Sequence, residues 1–537
     1  ASILSATNIA ATTTTQAGAL TATQLGRLTS EALIAFDATQ FAAFSATQVR
    51  ALTTTQIGNL EAADIAEFTT TQIAGLATTQ VRGLTETAVA ALAATQIAAL
   101  TVPQIQSLST TSLVGFADTQ IGALTTTQIG GLLAPQVSAF GATTVAALTA
   151  TQISAMSATQ IAALGATNFA ALDTTQIGAL TATQMRSLTT SQIASIDAGQ
   201  VSSFTTTQLT QLSGTQLKSL STSNLSALDT TQMASLTATQ VASLTTTQIA
   251  GLVAGDIGEM TTGQLQALVT TQVASLTTEA VSALTTTQVG AMRTTQIQGL
   301  TTTQLGALDA TDMGEFTTTQ LQSLTTAQVA GLTSTNAQSL STQQLAALTT
   351  SQIAALTVTN LSALDATQVG ALTTTQIKSL TATQMTGLDA ADVAEFTTTQ
   401  ISNLANTQLL AMTSTNMAGL AETQIASIAA IGVKALTATN FAALAETQLG
   451  ALTTTQVSSL TNTQLQALTS TKFSSFTETQ LGALTTSQLG GISTTNLSAL
   501  DATQFSAFRT TQLQTLTTTQ LNGLSTTDIS ELTTTQI

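Results

Sequence analysis

The residues of this chain that could do chemistry are its carboxylates. In the stretch LDATDMGEF, residues 308–316, Asp309, Asp312 and Glu315 follow one another at intervals of three. On a helix this spacing places all three on one face. Clustered oxygen ligands suit Ca²⁺, which takes six to eight of them. An Asp with a Glu three residues later recurs along the chain, and we treat these pairs as candidate calcium ligands: Asp64/Glu67, Asp256/Glu259, Asp312/Glu315, Asp392/Glu395 and Asp528/Glu531.

The alternative interpretation of these carboxylates is structural. Asp and Glu stabilise the N-termini of helices and keep a weakly charged surface soluble. The sequence contains no glycine-anchored calcium loop of the D-x-D-x-D-G type. Calcium is therefore a candidate cofactor beside a purely capping role, and we expect no other cofactor.

Catalytic groups are otherwise missing from the composition. The chain has no His, Cys, Tyr or Trp. Its many Ser and Thr residues have no neighbouring base to activate them, and no glycine-rich phosphate loop occurs. We expect that the protein is not an enzyme.

Charge and hydropathy limit the class of partner. The formal net charge is −16, and aromatic residues make up 3% of the chain, which argues against nucleic-acid binding. Hydrophobic residues make up 43%, but apolar runs are far shorter than the roughly twenty residues of a membrane span. The absence of cysteine excludes disulfide bonds.

The elements that carry these carboxylates belong to an eight-residue repeat. Gln recurs at multiples of eight from 16 to 536, and the consensus is T-x-T-Q-[ILV]-x-x-L. We number octads so that position 8n is the Gln slot of octad n. No insertion or deletion interrupts the register. Residues 1–537 therefore form a single uninterrupted octapeptide array, which we expect to be part of a longer chain.

The octad favours a helix over a strand. Thr, Ser or Asp at 8n−3 followed by Gln at 8n is a capping box. The apolar residues at 8n+1 and 8n+4 share one face of a helix but opposite faces of a strand. We predict an all-α fold, a superhelical solenoid of short two-turn helices with one helix per octad. A β-solenoid is the alternative.

Slots that lack Gln recur with a second period. They are Asn8, Ala32, Asp64, Ala88, Ser112, Thr144, Asn168, Asn224, Asp256, Ala280, Asp312, Asn336, Asn360, Asp392, Asn416, Gly432, Asn440, Lys472, Asn496 and Asp528. With Gly432 set aside and the unusual DAGQ of octad 25 included, these marked octads cover 65 octads in 19 steps, or 3.42 octads per step. The sequence therefore predicts about 3.4 octads per superhelical turn, with the marked octads on one side.

Phenylalanine follows the same period. Six residues of the marked octads form the candidate assembly stripe: Phe68, Phe116, Phe204, Phe316, Phe396 and Phe476. They could fill a wider part of the core, or they could order a contact with a neighbouring molecule. Both interpretations remain open from the sequence.

The whole chain resembles the long octapeptide arrays rich in TTTQIxAL that occur in very large secreted or surface proteins of proteobacteria. That resemblance implies secretion and a structural or adhesive role at the cell surface. The Q-[IL]-x-x-L rhythm is also similar to the short-helix superhelical repeats of the mesothelin and stereocilin group, although the Pro and Glu common in those repeats are mostly missing.

Together these observations predict a structural protein, a rigid extracellular rod, filament or surface-layer component that assembles end to end or laterally. Its partner would be a further copy of itself, without nucleic acid or a membrane span. One alternative is a calcium-dependent adhesin stalk. A second alternative is a solenoid whose flat threonine rows bind ice or another surface.

Overall fold

The chain folds into short α-helices. The computed structural model describes residues 4–530, 532, 534 and 536, and these residues form no strand. The predicted all-α solenoid is confirmed. The β-solenoid alternative is wrong, because the described residues form short helices and no strand, and the flat threonine rows expected on its strands are therefore not formed.

One helix occupies each octad from 1 to 66, so helix αn belongs to octad n. Helix αn begins at residue 8n−2, except α21, which is Gly165–Phe169. The helices that end at 8n+1 are α3, α4, α21, α27, α28, α59, α62 and α64. Those that end at 8n+2 are α1, α2, α5, α6, α7, α8, α11, α14, α17, α18, α22, α25, α31, α32, α35, α39, α41, α45, α49, α50, α56, α58, α60, α61, α63 and α66. All others end at 8n+3.

A polar residue at 8n−3 starts most of the helices. In α9, Thr70–Gly75, the N-cap Thr69 has extended backbone angles, and its hydroxyl accepts a hydrogen bond from the Gln72 amide nitrogen at 3.3 Å. Gln72 Oε1 accepts one from the Thr69 amide nitrogen at 2.6 Å. The predicted capping box is therefore present, and it satisfies amide groups that a helix start leaves unpaired.

The octad limits the length of each helix. α9 has six residues and α3, Ala22–Leu25, has four. With the N-cap and C-cap included, such a segment makes about two turns at 3.6 residues per turn. A helix this short is unstable alone in water, so packing between octads must stabilise it.

The core is built from positions 8n+1 and 8n+4. Ile57 and Leu60 are 0% and 2% exposed, and the equivalent residues are buried in nearly every octad. The intervening position 8n+2 is mostly exposed and carries basic residues such as Arg50. This alternation gives every helix one apolar face.

Small residues at 8n+3 bring the turns together. The helices that pack most closely are three octads apart, such as α6 (Ala46–Arg50) and α9. A Cβ atom added to Gly75 would lie 2.7 Å from the Cβ atom of Ala46, and one added to Gly419 would lie 2.7 Å from that of Ala390. Even the Cβ atom of an alanine therefore has too little room at these two contacts.

The structure divides into two compact units, Ala1–Leu276 and Thr277–Ile537. Both are built from the same helices and the same stacking of helix n on helix n+3. The octad register of the sequence runs from one unit into the other without a change.

Candidate functional site: the glutamine ladder and the acidic octads

The slot glutamine joins its own helix to an earlier turn. Gln72 Nε2 donates hydrogen bonds to the carbonyls of Phe41 at 2.6 Å and Phe44 at 2.8 Å, which lie 31 and 28 residues earlier. Its Oε1 already caps its own helix through Thr69. The side chain is 1% exposed. One amide thus pairs buried carbonyls at a helix end that would otherwise lack donors.

The same bonds recur through both units and form what we call the glutamine ladder. Gln104 donates to Ile73 and Leu76, Gln192 to Ile161, Gln352 to Leu321 and Leu324, and Gln488 to Val457 and Leu460. Residues 31 and 28 before the slot belong to octad n−4, whereas the closest packing is with helix n−3. One superhelical turn therefore takes between three and four octads, as the period of the marked slots predicts.

Asparagine in the slot makes a shorter version of the ladder. Asn336 Oδ1 accepts from the Thr333 amide nitrogen at 3.0 Å, and its Nδ2 donates only to Leu308, 28 residues earlier, at 2.8 Å. Asn416 makes the equivalent bond to Leu388 at 2.8 Å. Because Asn has one methylene fewer than Gln, it reaches the nearer carbonyl alone. The marked octads are therefore places where the link between turns is reduced.

Aspartate in the slot reverses the direction of the link. Asp256 Oδ2 accepts from the Val253 amide nitrogen at 2.9 Å and so keeps the cap. Ionised Asp cannot donate to a carbonyl. Instead, the hydroxyl of Ser226, 30 residues earlier, donates to Asp256 Oδ2 at 2.7 Å.

In two further acidic octads, the serine at the equivalent position donates to the slot aspartate. Ser362 donates to Asp392 at 2.6 Å, and Ser498 donates to Asp528 at 2.7 Å. These donors are not among the site residues predicted from the sequence, although a signal was present. The motif NLSALD occurs at 224–229, 360–365 and 496–501, at intervals of 136 residues or 17 octads. The Asn that begins each copy lies 32 residues before the slot aspartate that the serine contacts.

The glutamate three residues after the Asp occupies the position that is small in most octads. Glu259 Oε1 accepts from Thr230 Oγ1 at 2.7 Å, and Glu315 Oε1 accepts from Thr286 Oγ1 at 2.5 Å. In Glu67, Glu259 and Glu315, Oε2 is buried and has no hydrogen-bond partner among the described residues. Within the described part of the chain, one oxygen of each of these carboxylates therefore lacks a hydrogen bond.

Burial and neighbouring carboxylates shift the acidic pKa values. Loss of hydration raises the pKa of Glu67, and the charges of Asp64 and Asp37 raise it further. Loss of hydration likewise raises the pKa of Glu395, with added repulsion from Asp392. These carboxylates are therefore held in an environment that disfavours their charge.

Two other slot aspartates show that the local partners decide the direction. Burial is the main cause that raises the pKa of Asp64. At Asp528 burial also tends to raise the pKa, but hydrogen bonds from Ser498 and Ser525 outweigh this effect, and the pKa is lowered. The serine hydroxyls contribute to this difference, since Ile34 and Glu61 stand at the equivalent positions near Asp64, and the charge of Glu61 raises the pKa of Asp64.

A small apolar cleft adjoins one acidic octad. Asp392 and Glu395 lie at its edge, and Leu361, Val369 and Phe396 line it. The residue 23 positions before the slot is Val at Asp392 but a larger Met or Phe at Asp256 and Asp528. The cleft therefore lies beside a small core residue and a slot that Gln does not fill.

The candidate calcium ligands do not converge in the structure. The Asp of each pair caps its own helix. Glu259 and Glu315 instead accept hydrogen bonds from Thr230 and Thr286, which lie in helices three octads earlier. Asp64, Asp256, Asp312, Asp392 and Asp528 lie in the described chain, as do Glu67, Glu259, Glu315 and Glu395, whereas Glu531 lies outside the described residues. No group of three or more of the described carboxylates could hold a metal ion. Calcium binding stays a prediction without a preformed site.

The candidate assembly stripe lies in the core. Phe68, Phe116, Phe204, Phe316, Phe396 and Phe476 are all buried. Phe68 packs against Phe41 with ring centroids 5.4 Å apart, and Phe473 and Phe476 meet edge to face at 5.7 Å. Of the two interpretations, these positions favour core filling. The rings themselves offer no exposed contact, so an assembly surface would have to consist of other residues.

Comparison with known proteins identifies the repeat but no activity. Residues 257–294 match the family model described as the ALTTAQ repeat. No curated protein matches the chain significantly. In the part of the chain that the structure describes, every helix is too short to cross a membrane as an apolar span. The match and the tandem helices agree with a repeat protein.

Proposed function

We propose that this chain is a non-catalytic structural protein, an extracellular rod, filament or surface-layer component that assembles end to end or laterally. Its partner is a further copy of the same chain. The resemblance to bacterial octapeptide arrays favours secretion and a place at the cell surface.

The glutamine ladder is the observation that carries this proposal. Gln352 bonds to its own helix start and to the carbonyls of Leu321 and Leu324 in an earlier turn. Every such residue repeats one contact at a fixed step, so the stability of the array is a sum over neighbouring turns. An array of this kind is suited to support and spacing, because its similar helices repeat one contact along the chain.

Negative-stain electron microscopy of the purified chain tests the proposal. We expect elongated particles and filaments or bundles whose number increases with protein concentration. Analytical ultracentrifugation of the same samples measures the association in solution. Compact single particles at every concentration, with one monomer sedimentation coefficient, would overturn the structural assignment.

A calcium-dependent stalk is the second candidate. It is favoured by the buried Oε2 atoms of Glu67, Glu259 and Glu315, which lack a hydrogen-bond partner among the described residues. On this candidate, Ca²⁺ neutralises the acidic octads and stiffens or links the rods. Isothermal titration with CaCl₂, with MgCl₂ as the control, would give heat and a higher melting temperature with Ca²⁺ alone. If millimolar Ca²⁺ produces neither heat nor a thermal shift, the calcium-dependent stalk is wrong, and the filament that needs no calcium remains the proposed function.

A further inference from the structure

The basic residues of the chain are confined to certain octads. Nine of the ten Lys and Arg side chains are exposed. The tenth, Lys472, occupies a slot and donates from Nζ to the carbonyl of Ala442 at 2.5 Å, so it belongs to the ladder. The exposed nine are Arg27, Arg50, Arg82, Arg186, Lys218, Arg293, Lys378, Lys434 and Arg509. Their octads, 3, 6, 10, 23, 27, 37, 47, 54 and 64, contain no carboxylate.

Contacts between turns bring consecutive basic octads together. In the first unit, α3, which precedes Arg27, packs on α6, which ends at Arg50. The next basic octad carries Arg82, and its slot residue Gln80 donates to the carbonyl of Arg50 at 3.3 Å. Gln216, in the octad of Lys218, donates in the same way to the carbonyls of Met185 and Leu188 in the octad of Arg186. Arg27, Arg50 and Arg82 therefore lie on one side of the superhelix on successive turns, and so do Arg186 and Lys218.

Carboxylates follow the basic residues at a fixed interval. Eight of the nine basic octads are followed two octads later by an acidic one: Arg27 by Asp37, Arg50 by Asp64, Arg186 by Asp197, Lys218 by Asp229, Arg293 by Asp309, Lys378 by Asp392, Lys434 by Glu446 and Arg509 by Asp528. The ninth, Arg82, comes two octads after Asp64. The pattern holds separately within each compact unit.

An interval of two octads places the opposite charges on opposite sides. A turn takes between three and four octads, so two octads are between half and two thirds of a turn. The acidic octads also stack on one another. α8, Ala62–Ala66, packs on α11, Glu86–Ala90, and Gln120 in the octad of Asp118 donates to the carbonyl of Ala90 at 3.0 Å. The side that bears carboxylates is therefore as continuous as the side that bears cations.

We propose that these two sides form a complementary pair of docking surfaces, the basic side of one copy binding the acidic side of a second copy. The inference deepens the proposed structural role and rests on it. The occupant is a second copy because one chain carries both surfaces at the same octad spacing. Charged groups that meet at matched spacing set register and partner choice.

The mode of assembly follows from the geometry. The two surfaces differ, so the contact is heterologous, and it does not close into a symmetric dimer when the surfaces lie on opposite sides. Each added copy presents a free basic or acidic side to the next one. The product is an open lateral array, and its salt dependence is that of exposed charges.

Charge reversal on either side tests this proposal. One variant carries Arg27→Glu, Arg50→Glu and Arg82→Glu, and the other carries Glu61→Lys, Glu86→Lys and Asp118→Lys. Glu61 lies in the octad of Asp64. All six residues are exposed, and none is a slot residue. Analytical ultracentrifugation measures association of the wild type, of each variant and of the two variants mixed. Circular dichroism verifies the helical fold of each.

We expect each variant alone to associate at least about tenfold more weakly than wild type, and the mixture to recover association, because reversed surfaces match each other. Lys472→Gln is the matched control, since it removes a cation from the ladder but not from the basic side, and it should associate as wild type does. If folded variants associate as wild type does, or if the mixture fails to recover, the proposal is wrong. Binding of the basic side to phosphatidylserine vesicles without self-association would also overturn it. A wild type that never associates instead refutes the proposed function itself.

Discussion

Gln72 donates a hydrogen bond of 2.6 Å to the carbonyl of Phe41, 31 residues earlier in the chain. Through Oε1 the same side chain accepts from the amide nitrogen of Thr69. A single buried amide therefore starts one helix and fixes it to the end of another. Because the slot recurs every eight residues, this relationship determines both the helix boundaries and the pitch of the solenoid.

Removal of one slot amide should weaken the array locally. Gln352→Ala leaves the Thr349 amide nitrogen and the carbonyls of Leu321 and Leu324 without their partner. We expect a loss of about 1–3 kcal/mol in the free energy of unfolding, the cost of buried polar groups left unpaired. Urea denaturation followed by circular dichroism measures it.

The matched control is Gln352→Asn. As at Asn336, the shorter amide should keep the helix cap and the bond to the nearer carbonyl, and should therefore cost less than the Ala variant. Equal losses for Ala and Asn would show that the ladder bonds contribute nothing to stability.

The serine that donates to a slot aspartate should stabilise the fold only when that aspartate is present. Ser362→Ala removes the hydroxyl that donates to Asp392 at 2.6 Å. We expect a loss of about 1 kcal/mol or more, because a hydrogen bond to a charged group is lost. In the Asp392→Gln background the new amide can donate to the carbonyls of Leu361 and Leu364, so Ser362→Ala should become nearly neutral. A double-mutant cycle without coupling energy would contradict this account of the acidic octads.

Acidic pH should stabilise the acidic octads. Burial raises the pKa of Glu67 and Glu395 in the folded chain. Folding therefore favours the protonated form, and this contribution is full below the ordinary glutamate value of 4.5 and is lost as the pH rises through the folded pKa. We expect the melting temperature to rise as the pH falls from neutrality toward that value.

Other carboxylates titrate in the opposite sense at lower pH. Hydrogen bonding, chiefly from the Thr39 side chain, lowers the pKa of Asp37, so its contribution is lost as the pH falls through its folded pKa, below the ordinary value of 3.8. Glu395→Gln should reduce the rise between neutrality and pH 4.5. A melting temperature that falls steadily from neutral to acidic pH, in wild type and variant alike, would refute the assignment.

Close approach of the turns depends on small residues at 8n+3. A Cβ atom on Gly419 would lie 2.7 Å from the Cβ atom and 2.9 Å from the carbonyl oxygen of Ala390, whereas one on Gly122 would have no atom within 4 Å. Gly419→Ala should destabilise the fold by about 1–3 kcal/mol through overpacking. Gly122→Ala should be neutral or stabilise the helix by up to about 1 kcal/mol. Thermal melts of the two variants compare the same substitution at a closed and an open position.

Much of the fold follows from residue spacing. The capping box predicts the helix starts, the pair at 8n+1 and 8n+4 predicts the core, and the period of the marked slots predicts a turn of between three and four octads. These features depend on residues close together in the chain or on a regular repeat, so they can be recognised in a single sequence. The tight contact of Gly75 with Ala46 depends on how the octads stack, which no single octad reveals.

The partners of the slot residues could not be deduced in the same way. The side chain of a Gln at 8n could donate to many different carbonyls on neighbouring superhelical turns. Only the stacking of the octads selects the carbonyls 28 and 31 residues earlier. The interpretation of the acidic pairs as calcium ligands failed to anticipate that Asp256 and Glu259 contact different helices. The serine donors were detectable, because Ser226, Ser362 and Ser498 recur every 136 residues.

Disulfide trapping tests most directly that octads three apart are neighbours on adjacent turns. The chain has no cysteine, so an introduced pair is unique. A Cβ atom on Gly18 would lie 3.7 Å from the Cβ atom of Ala43, 25 residues later, which is within the range of a disulfide bond. The control pair is Gly18→Cys with Ala35→Cys, one octad closer in sequence. This account predicts that Gly18→Cys/Ala43→Cys oxidises to an intramolecular disulfide in the folded chain, seen as a mobility shift on a non-reducing gel, whereas the control pair stays reduced. Oxidation of the control pair alone, or of neither pair, would contradict the stacking on which the ladder and the two charged sides depend.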